Sequence, residues 1–426
     1  MHTVKHLDEF KKYIILSFFS PLLTLVVFIK NYRKPLLVPV GTLLMTLYGF
    51  LFYYLPDIDA SSHLEETEYL YASLTFSDFF FEIFNIILQK PTLGNLDLYI
   101  HFIMYISGNL LGYPKMIHII AGFFLGLFVS KSIKVIFDLT DNRIYFINSG
   151  VFIFIMIITQ SIFALNAIRI GTAMWVVFYA ALQYYKTKNK KYILLLILSI
   201  QIHFAYAIIS IPVFLSFFIF KFKKVIFGVF IASFFFSTSS DALKSIIPQT
   251  KSVEAKSGYL LNDKRIEERN EIKTKMKANV VFFIAEGSEY FVNYGLVSAL
   301  FFLSYFYFFK SDEVLTFILS TSYLLWSIIN LTYYIPSLGG RMTSLATLFI
   351  LSGLFYVFVN ILSKEHKFAF LFNLYKLFFI LVSLPFILKH ITHFMSTAEV
   401  FFLALPLANI FFEQTISLFQ FIKIFI

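Results

Sequence analysis

The sequence predicts an all-α polytopic membrane protein, and three observations carry that expectation. Of 426 residues, 59% are hydrophobic and 20% aromatic while only 14% are charged. The mean hydropathy is +0.78, which no water-soluble core wrapped in a polar shell reaches. Apolar runs of about 20 residues, the length that crosses a bilayer, recur along the chain. There is no cysteine, so disulfide frameworks, thiolate metal sites and cysteine nucleophiles are excluded. A net charge of +10 would suggest nucleic acid in a soluble domain. In a bilayer protein, lysine and arginine instead mark the cytoplasmic loops.

Reading for length and apolarity places spans near 13–30, 36–55, 114–134, 144–162, 170–185, 224–239, 291–309, 313–333, 342–362, 368–388 and 398–412. The first is expected to be retained, because no small-residue cleavage site follows it. Segment 192–220 is too long for one span and too short for two. It is flanked by Lys186, Lys188, Lys190 and Lys191 on one side and by Lys221, Lys223 and Lys224 on the other. Both ends therefore face the cytoplasm, and a short re-entrant helical hairpin turning near His203 fits, provided protein or water covers its irregular tip. The expectation is a single integral membrane domain over 1–426, with about 11 transmembrane helices plus this hairpin.

With those lysine clusters inside, the short inner loops and the C-terminus hold 17 Lys and Arg. The short outer loops hold five: Lys90, Lys115, Arg169, Arg341 and Lys389. Two outer segments have substance. Residues 56–111 carry "PDIDASSHLEETEYLY" and the half-polar stretches "FSDFFFEIFNIILQK" and "DLYIHFIMYISGNLL", suited to helices lying in the interface. Residues 240–278, with "NDKRIEERNEIKTKMK", form a polar outer loop.

Within 42 residues, Ile144 to Tyr185, Arg169 is the one charged side chain. Within the 50 residues between Glu313 and Lys364, Arg341 is likewise alone. Each sits where one span ends outside and the next begins, in the first turn of the returning helix. Asn166, Gly171, Thr172 and Ala173 surround one, and Gly339 and Gly340 precede the other. An arginine near a span end can snorkel to headgroups. A matched pair on one face points instead to an anion site, since the planar guanidinium fork suits phosphate oxygens and helix N-terminal amides add to the attraction. His203, in "SIQIHFAYAI", turns toward the same face and is a candidate general base or phosphate ligand.

Further outer carboxylates are Asp57, Asp59, Glu65, Glu66, Glu68, Asp78, Glu82, Glu286 and Glu289. Of these, Asp57 and Asp59 are candidate bases, and the rest read as solvated loop charges. His390 and His393 read as surface residues without a third metal ligand. Lys376 is the other charge clearly inside a span. No phosphate-binding glycine loop, nucleophile elbow or zinc-helix motif occurs.

"LNAIRIGTA" (165–173) resembles the Asn-x-x-Arg-(Gln)-x-x-Ala element of the EpsG/Wzy group of bacterial polysaccharide polymerases. A helix ending in tyrosines, the lysine-rich turn "YYKTKNKKY" and a short helix running into a histidine follow, as in that group. "IHFAYAI" (202–208) is similar to its Phe-His-x-Ser-Ala element, and Arg341 falls where a second arginine is expected. "PDIDASSHLEETEY" resembles its acidic first outer loop. Ile170 stands where glutamine is usual, and Ala205 where serine is.

The resemblance implies a fold similar to the membrane-embedded GT-C-type lipid-sugar glycosyltransferases. It also implies an O-antigen-type polymerase at the periplasmic face of the bacterial inner (plasma) membrane, joining undecaprenyl-diphosphate-linked repeats in lipopolysaccharide or related polysaccharide biosynthesis. On it, Arg169, Arg341 and His203 are catalytic, and Arg169, Arg341 and Asn166 bind the diphosphate. Its partners would be the lipid-linked glycan, the bilayer and a chain-length regulator, with no metal, cofactor or nucleic acid. The alternatives are a flippase or other transporter of lipid-linked oligosaccharide and an O-antigen ligase.

Overall fold

The structure, a computed structural model, describes residues 2–31, 34–56, 58–88, 90–94, 97–140, 146–236, 282–309, 312–332, 336–361, 369–412 and 415–425. The polar segment 240–278 and Asp57 lie outside the described residues. The described residues form helices joined by turns and loops, with two isolated backbone bridges, Phe52 to Ala398 and Glu399 to Ser417.

The first apolar run is two helices, α1 (His2–Phe19) and α2 (Pro21–Lys30), rather than one span. Local chemistry makes the break. Ser20 accepts from the Leu23 amide at 3.0 Å, and Pro21 takes the first helical position, where no N–H is needed. Next, α3 (Leu37–Phe50) lies against α7 (Met116–Leu139) backbone to backbone. A Cβ on Gly49 would come within 2.1 Å of the His118 carbonyl oxygen, and one on Gly122 within 2.4 Å of that of Met45. Small residues at such an interface let helices meet where no hydrophobic force between them is available in lipid.

Between α3 and α7 the expected half-polar helices are present. They are α4 (Asp59–Glu66), running on as a π turn to Tyr71, α5 (Phe76–Ile87), and α6 (Leu98–Tyr105), running on as a π turn to Leu110. α5 buries Phe79, Glu82 and Ile86 and exposes Phe80, Phe81, Phe84 and Ile87.

The centre is built by α8 (Phe146–Gln160), α9 (Ile162–Asn166) and α10 (Ile168–Thr187). Every residue of α10 from Gly171 to Leu182 is buried. α11 (Lys191–Ile202) and α12 (Tyr206–Ile219) form the short hairpin, with His203 at the turn. At 12 and 14 residues they are about 18 and 21 Å long, short of the roughly 30 Å hydrocarbon thickness. α13 (Lys223–Ala232) follows.

The C-terminal half comprises α14 (Phe282–Tyr290), α15 (Leu296–Phe309), α16 (Glu313–Leu331), α17 (Pro336–Tyr356), α18 (Ala369–Thr397) and α19 (Leu418–Lys423). α10 packs on α7, α11 and α17.

Among the described residues, five helical stretches are long and apolar enough to cross a membrane: 116–139, 149–166, 313–331, 338–360 and 370–397. Shorter apolar helices lie at 21–30, 34–50, 191–202 and 206–219. In the most apolar window of 338–360, 89% of residues are buried, against 28% for 370–397. The first is therefore an inner helix and the second a peripheral one. α18 turns outward a stripe of Phe370, Leu371, Leu374, Leu377, Phe378, Leu381 and Leu384, the continuous apolar face that association with a lipid bilayer requires.

The expected span at 398–412 is absent. Those residues form two 3-10 turns, Val400–Phe402 and Pro406–Phe411. Pro406 cannot continue a helix, and the Glu399 and Val400 amides donate sideways to the carbonyls of Leu51 and Ile416, both within 3.0 Å.

Candidate functional site

Asp97 is the centre of the site, and sequence reading missed it. It stands at the N-cap of α6 with an extended backbone (φ −114°, ψ 117°), yet its carboxylate makes no capping bond. An aspartate there ordinarily accepts from the first amides of its own helix. Here one oxygen accepts from the Phe204 amide at 2.8 Å, and the other from Arg169 Nη1 and His203 Nδ1, each at 3.0 Å. The side chain is 0% exposed. A dry carboxylate thus joins the start of α10 to the tip of the α11–α12 hairpin.

The loop that delivers Asp97 is tied down by Glu82. Its carboxylate accepts from the Thr92 and Leu93 amides at 2.8 and 2.9 Å, from the Thr92 hydroxyl and from Asn85. Burial pushes the Glu82 carboxyl up, and the hydrogen bonds from Thr92, Leu93 and Asn85 more than reverse it, holding it below the usual carboxylate value. Asp78 bonds with Thr75, the N-cap of α5. Both acidic groups are structural.

Arg169 is the second residue of α10, in the first turn as expected. A tight corner sets it there. A Cβ on Gly171 would fall 2.2 Å from Cβ of Ala164, so α9 and α10 meet without room for a side chain. Asn166 closes α9, and its Oδ1 is buried without a hydrogen-bond partner. Arg341 lies in the second turn of α17, not the first, because Pro336 starts that helix earlier. Its positive charge is felt at His203 and at Tyr206, and that of Arg169 at His203 as well, so both arginines act electrostatically on the hairpin tip. The Tyr206 hydroxyl donates to the Ile170 carbonyl at 3.3 Å, fixing the hairpin against α10.

An ionised Asp97 can only accept, so the His203 nitrogen facing it is the protonated one. Nε2 then carries the lone pair, and it is buried without a hydrogen bond. A carboxylate holding one imidazole nitrogen while the other is presented to a reacting hydroxyl is the arrangement of a general base.

His63, on α4, was also missed. It is buried, and its pKa falls to about 3 through that burial, aided by the Arg169 charge and opposed by Asp97. It is therefore a neutral group beside the ion pair. His118 stands within reach of His63, stacks on Phe52 and shares a hydrogen bond of 2.9 Å with the Tyr54 hydroxyl.

The candidate base Asp59 is exposed in the first turn of α4, and none of the carboxylate's hydrogen bonds to Arg169 or His203 is its own. His390 and His393 are not surface residues: His390 is 8% exposed, and both line a cavity with Lys389. Among the described residues no group of three His, Asp or Glu could hold a metal ion.

Comparison with family models, curated proteins and solved structures finds no match to this chain.

Proposed function

We propose that the protein polymerises undecaprenyl-diphosphate-linked oligosaccharide repeats at the outer face of the bacterial inner membrane, as a Wzy-type glycosyltransferase. The observation that carries this reading is the buried Asp97 carboxylate bonded to both Arg169 and His203, with Arg341 in electrostatic range. The motif resemblance supports it independently. On this reading the shorter apolar helices join the five long ones in a bundle with a GT-C-like plan.

A hydroxyl of the acceptor sugar attacks the anomeric carbon of the donor, its proton passing to His203 Nε2. The bond from that carbon to the diphosphate oxygen breaks, and the electron pair leaves with the lipid diphosphate. Arg169 and Arg341 stabilise the charge that accumulates there, which pre-placed cations do best in a low-dielectric site. Asp97 touches no reacting atom. It is a positioning residue that fixes the guanidinium and the imidazole tautomer together, and Asn166 offers a further polar contact to the substrate.

The test is complementation of a deletion strain, with surface glycan read on gels. Loss of a polymerase leaves a single capped repeat. Loss of a flippase stops all surface glycan, and loss of a ligase leaves bare lipid A-core with polymer stranded on its carrier. Either of the last two outcomes overturns the reading. Replacing Arg169 or Arg341 by alanine should reproduce the deletion at normal protein levels.

A further inference from the structure

His63 Nδ1, His118 Nε2 and Asn166 Oδ1 share a property with His203 Nε2: each is buried without a hydrogen-bond partner. One short helix explains how they gather. α9 ends in Asn166, leads into α10 and Arg169, and packs against both α4, which carries His63, and α7, which carries His118. The electrostatics agree, since His63 feels the charges of Arg169 and Asp97, and His118 stands within reach of His63. Folded proteins leave few buried polar groups unpaired, because each costs free energy until something pairs it. Unpaired atoms from three helices beside one arginine therefore mark a place where a ligand completes the bonding.

The cluster is held from behind. His118 stacks on Phe52 with ring centroids 4.5 Å apart, and its Nδ1 shares a hydrogen bond of 2.9 Å with the Tyr54 hydroxyl. The backbone bridge from Phe52 to Ala398 fixes that support in turn. His118 is 0% exposed and His63 6%, whereas the Arg169 side chain is 27% exposed, so a ligand reaches the cluster from the guanidinium side.

The chemistry selects among ligands. Burial and the Arg169 charge both oppose protonation of His63, which is therefore a neutral imidazole with one donor and one acceptor. Phosphate oxygens are served by cations, and a neutral ring adds no charge to them. A hydroxyl both donates and accepts, so it pairs with the imidazole in either tautomer, and it can also donate to Asn166 Oδ1, which only accepts.

We infer that His63 reads the glycan, its Nδ1 bonding a hydroxyl of the sugar attached to the diphosphate that Arg169 holds. The inference rests on the proposed polymerase activity and adds a specificity-determining residue to it, one that recognises sugar and not phosphate. Asn166 Oδ1 accepts from the same sugar, and His118 is the deepest member of the subsite.

The test separates sugar from phosphate. Full-length protein in lipid nanodiscs is titrated with undecaprenyl diphosphate and, separately, with the undecaprenyl-diphosphate-linked repeat extracted from the deletion strain, binding being read by native mass spectrometry. The wild type should prefer the glycan-bearing lipid. His63→Leu should weaken that lipid by about tenfold, the loss of one buried hydrogen bond, and leave undecaprenyl diphosphate unchanged, which also reports a folded variant. Arg169→Ala should weaken both. If His63→Leu loses both lipids, the milder His63→Gln decides, and it should weaken the glycan-bearing lipid alone. The inference is overturned if the wild type shows no preference, if His63→Leu leaves the preference intact, or if both His63 variants weaken the two lipids equally. The polymerase reading survives each of those results. It falls, and the inference with it, if the wild type binds neither lipid.

Discussion

The two ends of α10 carry the same device in different surroundings. At one end Asp97 bridges Arg169 and His203. At the other, Asp138 bridges Lys34 and Lys186. From Arg169 to Lys186 the helix rises about 26 Å, close to the hydrocarbon thickness of a bilayer. The Asp97 side chain is fully buried, whereas that of Asp138 is 21% exposed and its lysines are 27% and 36% exposed. Water and salt screen the Asp138 cluster, so it fastens helix ends and contributes little. In the Asp97 cluster the carboxylate is fully buried and His203 is 8% exposed, while Arg169 is as exposed as Lys34, at 27%. Three donors on one carboxylate, an imidazole nitrogen left unbonded and a second arginine nearby are features of a site held ready for charge. Burial of the carboxylate, more than ion pairing as such, separates the candidate functional cluster from the one around Asp138.

The largest effect should follow from removing the dry carboxylate. Asp97→Ala leaves the Phe204 amide and the His203 imidazole without their buried acceptor and the partly exposed Arg169 without its counter-ion, and the cost should be roughly 3 kcal/mol, measured as loss of thermal stability in detergent. Gly171→Val comes next. The added side chain must displace Ala164, so about 1–3 kcal/mol is expected from overpacking, together with loss of activity as Arg169 moves. Gly228→Ala is the control: its Cβ would meet nothing within 4 Å, and the change should stay within about 1 kcal/mol.

A smaller effect concerns pH. His63 has a folded pKa of about 3 against an ordinary 6.5, so the unfolded chain binds the proton more readily. Its contribution is complete above about pH 6.5 and is lost as pH falls toward 3. His63→Gln should flatten stability between those limits, and an unchanged pH slope would show that His63 is not buried beside Arg169. Smallest of all, Asp138→Asn should cost under about 1 kcal/mol, with the loss shrinking as salt is added.

Much of this was legible in the sequence where the signal was isolation or length. Arg169 and Arg341 stood out because nothing charged surrounds them, and the hairpin followed from a segment too short for two spans with lysines at both ends. Asp97 was hidden because an aspartate before an apolar run reads as a helix cap, and only packing shows that its carboxylate turns away to another pair of helices. His63 sits in "ASSHLEE", which reads as solvated, and is buried by elements distant in sequence. The apolar stretch 398–412 passed as a span on composition, since the lateral backbone bonds to Leu51 and Ile416 leave no trace in local hydropathy. The break at Ser20–Pro21 was readable in principle, as a capping serine followed by proline.

The central claim is that the dry cluster, and not its wet counterpart, performs glycan polymerisation. Asp97→Asn and Asp138→Asn, expressed at equal levels in the deletion strain, test it by glycan length on gels. A single capped repeat with Asp97→Asn and a full ladder with Asp138→Asn is the predicted result. A full ladder with Asp97→Asn would contradict it.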